Sequence, residues 1–206
     1  MTRTALAVGL FLVLTNPSCS CAGAQALKRN MGPLYEAETQ SWLDRLDRDA
    51  ATGMWLVTRG YHTGDDLVAM ATNSPLSHAS ILDLERSSVI EAVAQGVIET
   101  DLRQFLRETH RLVLIKPTNW TPENGHIAVA KAREEIGKKY DYLGVVGLPK
   151  RDNWYCSELA AWSMGIEVQR KGPEHVLHPR NMHLYGETLF DTGSRDSQPD
   201  NVEPTE

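Results

Sequence analysis

The chain has 206 residues, with 27 acidic and 21 basic side chains and a formal net charge of −6. This length suits one domain with a substantial core. The acidic balance and the lack of a basic stripe in the sequence argue against nucleic acid as a partner, and against a general attraction to anionic lipid.

The N-terminus has the pattern of a secretory signal peptide. Arg3 precedes an apolar stretch over residues 5–14, and small residues at 22–24 form a cleavage pattern. The stretch is too short to span a bilayer. We therefore expect a signal peptide over residues 1–24 and an exported protein, periplasmic or secreted. Removal of Arg3 lowers the basic count from 21 to 20 and the net charge to −7.

The three cysteines bear on both export and chemistry. Cys19 and Cys21 lie in the predicted signal, and Cys156 lies far from them. A lipoprotein lipidated at Cys19 or Cys21 is the alternative to a cleaved export signal, and only in that case do we expect membrane association. Either route leaves Cys156 unpaired. Since exported proteins normally pair their cysteines, Cys156 is either an inert buried residue or a reactive group.

The first half of the mature chain alternates between helical and extended patterns. The spacing of apolar residues predicts a helix over residues 35–48, a strand over 54–58 and a short helix over 65–72. Two further strands are expected over 77–84 and 88–93. The polar turn between them indicates a hairpin.

The second half begins with a short helix that Asp101 caps and that runs through residue 107. A strand over 111–116 follows and ends at Pro117, which has no N–H to donate. Thr121 and Pro122 then open a helix that Gly137 closes. Its expected apolar face consists of Ile127, Ala130 and Ile136.

A last helix begins near Tyr155 and ends at Gly165. Residues 191–206 are rich in small and acidic residues and predict a disordered acidic tail, which leaves one domain over residues 25–190. The elements together predict an α+β fold with a mostly antiparallel sheet and helices packed to one side.

The position of Cys156 at this helix start favours a nucleophile. The free N–H groups and the positive end of the helix dipole stabilise a thiolate there. A thiolate nucleophile needs a base, and among seven histidines only His78 lies inside a predicted strand. Glu91 is an acid within an otherwise apolar strand, and this strand should pair with the strand that contains His78. Antiparallel pairing can bring Glu91 beside His78, although a one-residue slip would turn it away.

These residues, in this order, resemble the circularly permuted NlpC/P60 cysteine hydrolases, and the YiiX-like branch in particular. The likeness rests on Ser77-His78, on the strand around Glu91, on Tyr140-Asp141 and on Tyr155-Cys156-Ser157, and it spans roughly residues 53–164. It implies a permuted papain-like fold. It also implies Cys156 as nucleophile, His78 as base, Glu91 as the third catalytic residue and Tyr140 as a substrate-binding residue near the pocket.

The expected activity is that of a thiol hydrolase that cleaves an amide or ester bond through a thioester. Export suits a cell-wall peptide as substrate, whereas the resemblance implies a lipid or acyl substrate. The alternatives are an acyltransferase that uses the same thiol, and a non-catalytic lipid- or peptide-binding module on the same fold. Neither a close metal-ligand spacing nor a phosphate-binding loop occurs, so no cofactor or metal is expected.

Overall fold

The structure is a computed structural model that describes residues 32–150, 152–167 and 176–195. The predicted signal peptide at residues 1–24 lies outside the described residues, as does the end of the predicted tail. None of the described helices is both long enough and apolar enough to cross a bilayer.

Within the described residues, six strands form one antiparallel sheet in the order β4-β3-β2-β1-β5-β6. The α+β prediction and the β2–β3 hairpin are therefore confirmed. The strands are β1 (Trp55–Gly60), β2 (His78–Asp83), β3 (Ser88–Val93), β4 (Gly96–Asp101), β5 (Thr109–Pro117) and β6 (Gly186–Asp191).

Helices cover both faces of this sheet, so the prediction that they pack to one side was wrong. The helices are α1 (Pro33–Asp49), α2 (Thr63–Thr72), α3 (Leu102–Arg107), α4 (Pro122–Glu134) and α5 (Cys156–Ser163), with 3-10 turns at Gly144–Val146 and Pro179–Tyr185. Alternate residues of β1 enter two separate cores. Trp55 and Val57 pack with residues of α4 and α5, whereas Leu56 packs with residues of α1 and α3. Successive strand side chains point to opposite faces, and both faces are buried here.

Helix α4 begins as expected, because the Thr121 side chain accepts a hydrogen bond from the Asn124 N–H at 3.1 Å. Its predicted apolar face was wrong. Ile127 and Ile136 are 49% and 42% exposed and Ala130 is exposed. The buried face consists instead of Gly125, Ala128, Val129 and Ala132.

Small residues form the contact face of α4 because the helix lies close to neighbouring backbone. A Cβ added at Gly125 would lie 2.2 Å from the carbonyl oxygen of Thr52, a distance that no side chain tolerates. Only small residues fit where α4 contacts neighbouring backbone, so the larger aliphatic residues of α4 lie on its solvent-exposed face.

The C-terminal part of the described chain belongs to the fold. Residues 191–195 were predicted to be the start of the tail, but Asp191 ends strand β6 and Arg195 is buried. The Arg195 guanidinium lies between the rings of Tyr35 and Trp42, at 4.0 and 3.9 Å from their centroids. The guanidinium also donates five hydrogen bonds that hold this segment against the domain, and the acceptors belong to Thr109, Tyr35, Glu38, Thr39 and Leu106.

Candidate active site

Cys156 is the first residue of α5. Tyr155 precedes it in an extended conformation (φ −101°, ψ 162°), which turns the chain from a loop into the helix. The thiol is buried, with the residue only 5% exposed, and forms no disulfide. The predicted helix start at the nucleophile is thus present, and the positive end of the helix dipole lies beside the sulfur.

His78 and Glu91 meet across the β2–β3 hairpin. Glu91 on β3 lies opposite Ser80 on β2. His78 is two residues before Ser80 on β2, so the side chains of His78 and Glu91 are on the same face of the sheet. The Nε2 atom of His78 and the Oε2 atom of Glu91 are 2.7 Å apart. Both side chains are largely buried, with exposed fractions of 15% and 8%. The register that the sequence left open is therefore the one that brings these two residues together.

Thr100 continues this arrangement onto the next strand. Its hydroxyl donates a hydrogen bond of 2.6 Å to the second carboxylate oxygen, Oε1, of Glu91. Thr100 lies on β4 two residues beyond Ile98, which is the register partner of Glu91. His78, Glu91 and Thr100 thus form a diagonal row over three strands, in which both carboxylate oxygens have a donor and the carboxylate orientation is fixed.

The thiol of Cys156 lies beside the His78 ring, and the two groups shift each other's pKa. Burial opposes the imidazolium, but the hydrogen bonds and charges of Cys156 and Glu91 outweigh it and raise the pKa of His78 well above its ordinary value. Burial also opposes the thiolate, yet the hydrogen bond and charge of His78 lower the pKa of Cys156. The arrangement therefore favours a thiolate–imidazolium pair over two neutral groups.

The carboxylate of Glu91 stays charged in the same setting. Burial acts to raise its pKa, but the hydrogen bond and charge of His78, together with the hydrogen bond from Thr100, lower it. The His78 ring therefore lies between two groups that each favour its protonated form.

Two backbone N–H groups also lie close to the sulfur of Cys156. One belongs to Ala79, the residue after the histidine, and the other to Ser157 in the first turn of α5. Both contacts lower the pKa of the thiol. The Ala79 contact arises because β2 begins next to the start of α5, and the same packing places His78 beside Cys156.

Tyr140 lies next to the nucleophile, as the resemblance implied. It forms an isolated parallel bridge with Trp154, two residues before Cys156, and its side chain is partly buried. Its hydroxyl lies close to Cys156, which is one of the causes that raise the pKa of Tyr140. Burial, followed by the negative charge of the thiolate, raises the pKa of Tyr140, so the hydroxyl stays protonated and remains a donor at neutral pH.

The structure thus brings together all four predicted site residues, Cys156, His78, Glu91 and Tyr140. Sequence reasoning missed Thr100 and the Ala79 N–H, whereas the Ser157 N–H is one of the helix-start donors that it expected. Within residues 32–150, 152–167 and 176–195, no group of three or more His, Cys, Asp or Glu side chains is arranged to hold a metal ion.

Comparison with solved structures finds five matching chains. One is the crystal structure of the metalloprotein YiiX from Escherichia coli O157:H7, which is 23% identical, covers 58% of this chain and 69% of its own, and has a TM-score of 0.49. A comparison with curated proteins finds no match.

A family model described as a permuted papain-like amidase enzyme, YaeF/YiiX, C92 family, matches residues 61–181. This is more than half of the chain, and it includes His78, Glu91, Tyr140 and Cys156. The YiiX-like resemblance and the permuted papain-like fold are thereby confirmed, with C92 in place of NlpC/P60 as the family name. The chain belongs to the YaeF/YiiX (C92) family of permuted papain-like amidases.

Proposed function

We propose that the protein is an exported thiol hydrolase that cleaves an amide or ester bond through a thioester on Cys156. The main support for the proposal is that the groups around the Cys156 sulfur favour its ionised form. His78, held by Glu91 at 2.7 Å, and the N–H groups of Ala79 and Ser157 all favour the thiolate. Export is inferred from the N-terminal pattern of the sequence.

In the first half of the reaction, the Cys156 thiolate attacks the substrate carbonyl carbon and a C–S bond forms. The carbonyl electrons move to oxygen and give an oxyanion. When the oxyanion collapses, the C–N or C–O bond breaks, and the His78 imidazolium donates its proton to the leaving amine or alkoxide. Glu91 remains a carboxylate throughout, where it orients the ring and stabilises its cation.

In the second half, neutral His78 accepts a proton from water as the water oxygen attacks the thioester carbonyl. The C–S bond then breaks, the acid product leaves, and the thiolate–imidazolium pair is restored. If an alcohol or amine replaces water in this step, the same residues perform acyl transfer. The acyltransferase alternative therefore differs from hydrolysis in the acceptor alone.

Tyr140 is proposed as a donor to the oxyanion. Its hydroxyl already lies close to the sulfur, so it also lies near the carbonyl oxygen of a substrate bound to that sulfur. Because its raised pKa keeps it protonated, it can stabilise the developing negative charge. The N–H groups of Ala79 and Ser157, which lie close to the sulfur in the resting state, are the other donors close to this position.

Substitution of Tyr140 by phenylalanine tests this role. We expect Tyr140→Phe to lower kcat by about a hundredfold with a smaller change in KM, because the lost contact is stronger in the transition state than in the ground state. Tyr142→Phe is the matched control, since Tyr142 is 61% exposed and its hydroxyl donates to the Ala94 carbonyl at 3.2 Å. Equal kinetics of the Tyr140→Phe variant and the unmodified protein would remove Tyr140 from the oxyanion site.

The proposed reaction is tested by incubating the protein with muropeptides and with a panel of acyl esters and amides. We expect a product that the Cys156→Ala variant does not form, together with an acyl adduct on the peptide that contains Cys156. The identity of the substrate that yields product decides between a cell-wall peptide and a lipid or acyl compound. Lack of any Cys156-dependent product from both classes would instead favour the non-catalytic binding module.

A further inference from the structure

The segment over residues 142–148, called the apolar loop below, exposes four large hydrophobic side chains. Tyr142, Leu143, Val146 and Leu148 are 61%, 54%, 53% and 65% exposed. Single exposed hydrophobic residues are common on proteins, but four within seven consecutive residues form a patch. Such a patch marks a surface that contacts an apolar partner.

The apolar loop is held in this outward conformation by a buried acid at its base. Asp141 is 2% exposed, and its carboxylate accepts hydrogen bonds from the N–H groups of Gly144 at 2.9 Å and Lys150 at 2.8 Å. Inside the loop, the Leu143 carbonyl accepts from the N–H groups of Val146 and Leu148 at 3.1 and 3.0 Å. These hydrogen bonds hold the backbone of the turn while its hydrophobic side chains remain exposed.

Basic residues outnumber acidic ones beside the apolar loop, because residues 138–152 contain four lysine or arginine residues and two aspartates. Lys139 and Lys150 lie on either side of it and are exposed. Asp141 is the single acid among residues 139–150, and it is buried and engaged with backbone N–H groups. The second acid, Asp152, is exposed, so the segment that flanks the apolar loop has a basic excess although the whole chain has a net charge of −6.

The geometry points to the apolar loop as a site that docks on the surface of an anionic lipid bilayer. Exposed aliphatic and aromatic side chains enter the acyl boundary, while flanking lysines contact anionic headgroups. A seven-residue loop is too small to bury the area of a stable protein–protein interface, which is on the order of 1,000 Å² or more. Shallow insertion of a few side chains needs no such area. This contact does not depend on lipidation at Cys19 or Cys21.

The apolar loop lies next to the candidate active site. The ring of Tyr142 contacts that of Tyr140 in an edge-on arrangement, with centroids 4.9 Å apart, and the Tyr140 hydroxyl lies close to Cys156. Docking would therefore bring the nucleophile close to the bilayer surface. A consequence, which rests on the proposed function, is that the substrate is presented by that surface.

The test is co-sedimentation with vesicles of phosphatidylcholine, with and without phosphatidylglycerol. It is run on the full chain and on the chain from Gln25, because the apolar stretch over residues 5–14 partitions into lipid by itself. The loop variant carries Leu143→Asp and Leu148→Asp. The matched control carries Leu34→Asp and Leu184→Asp, which add the same charge at positions 76% and 69% exposed.

We expect the chain from Gln25 to bind the anionic vesicles more strongly than the neutral ones, with an affinity that falls as salt rises. The loop variant should bind at least about tenfold more weakly, and the control variant within about twofold of the unmodified chain. Cys156→Ser should bind normally, which separates docking from catalysis. Equal binding of the loop and control variants, or no vesicle binding by the unmodified chain from Gln25, would overturn the proposal.

Discussion

Replacement of His78 by glutamine is expected to lower Cys156-dependent turnover about a thousandfold. Glutamine retains a hydrogen-bonding group towards Glu91 but cannot carry a positive charge or transfer a proton. The thiol then loses the group that lowers its pKa most, and the leaving group loses its acid. The measurement is kcat on whichever substrate the panel identifies, with the fold monitored by circular dichroism.

His126→Gln is the matched control for this substitution. The His126 side chain is 53% exposed on α4, where its ring lies 3.7 Å from the Glu85 carboxylate, so its loss should change turnover by less than about twofold. If His78→Gln retained turnover to within about tenfold of the unmodified protein, the role of His78 as base would be wrong.

The largest expected loss of stability comes from Arg195→Met. The Arg195 guanidinium is 3% exposed and connects α1 to α3 and the start of β5 by hydrogen bonds. Methionine fills similar space but leaves the carboxylate of Glu38 and the carbonyls of Thr109 and Leu106 without this donor. We expect the free energy of unfolding to fall by about 3 to 5 kcal/mol, as measured by urea denaturation.

Arg103→Met controls for the loss of a surface arginine. Arg103 is exposed on α3 and forms a hydrogen bond with Gln40, so its substitution should cost less than about 1 kcal/mol. A loss of equal size in both variants would show that Arg195 does not anchor the C-terminal segment as described.

The catalytic residues of the site were predictable because Glu91 and Cys156 each stand out against their sequence surroundings. Glu91 is an acid in an apolar strand, and acids rarely occupy such positions without a partner. Cys156 begins a helix, and its lack of a disulfide partner in a chain predicted to be exported pointed to reactivity. The hairpin that brings His78 to Glu91 is joined by a short polar turn, which made pairing of the two strands easy to predict.

The groups that sequence reasoning missed lie on an edge strand or at a contact between elements that are far apart in the sequence. Strands β4 and β6 lie at the two edges of the sheet, and half or more of their residues are not fully buried, so their sequences carry little apolar pattern. Thr100 escaped notice because it lies on β4. The Ala79 N–H escaped notice because backbone groups have no signature in the sequence.

The incorrect predictions share a cause in helix packing. Helix α4 contacts its neighbours through Gly125 and Ala128, whereas hydrophobic spacing pointed to Ile127. Close approach favours small residues, which contribute little to a hydrophobic pattern. The second helical layer, formed by α1 and α3, was missed because no local pattern states on which side of a sheet a helix lies.

The central claim is that Cys156 and His78 form a thiolate–imidazolium pair, and the rate of Cys156 alkylation by iodoacetamide against pH tests it most directly. The thiolate is present above the lowered pKa of Cys156, and the imidazolium is present below the raised pKa of His78. The pair is therefore charged between these two values. We predict rapid alkylation of the Cys156 peptide that persists well to the acid side of an ordinary thiol pKa of about 8.5, and that moves towards that value in His78→Gln. A profile that rises only near the ordinary thiol pKa, and that is the same in His78→Gln, would contradict the account.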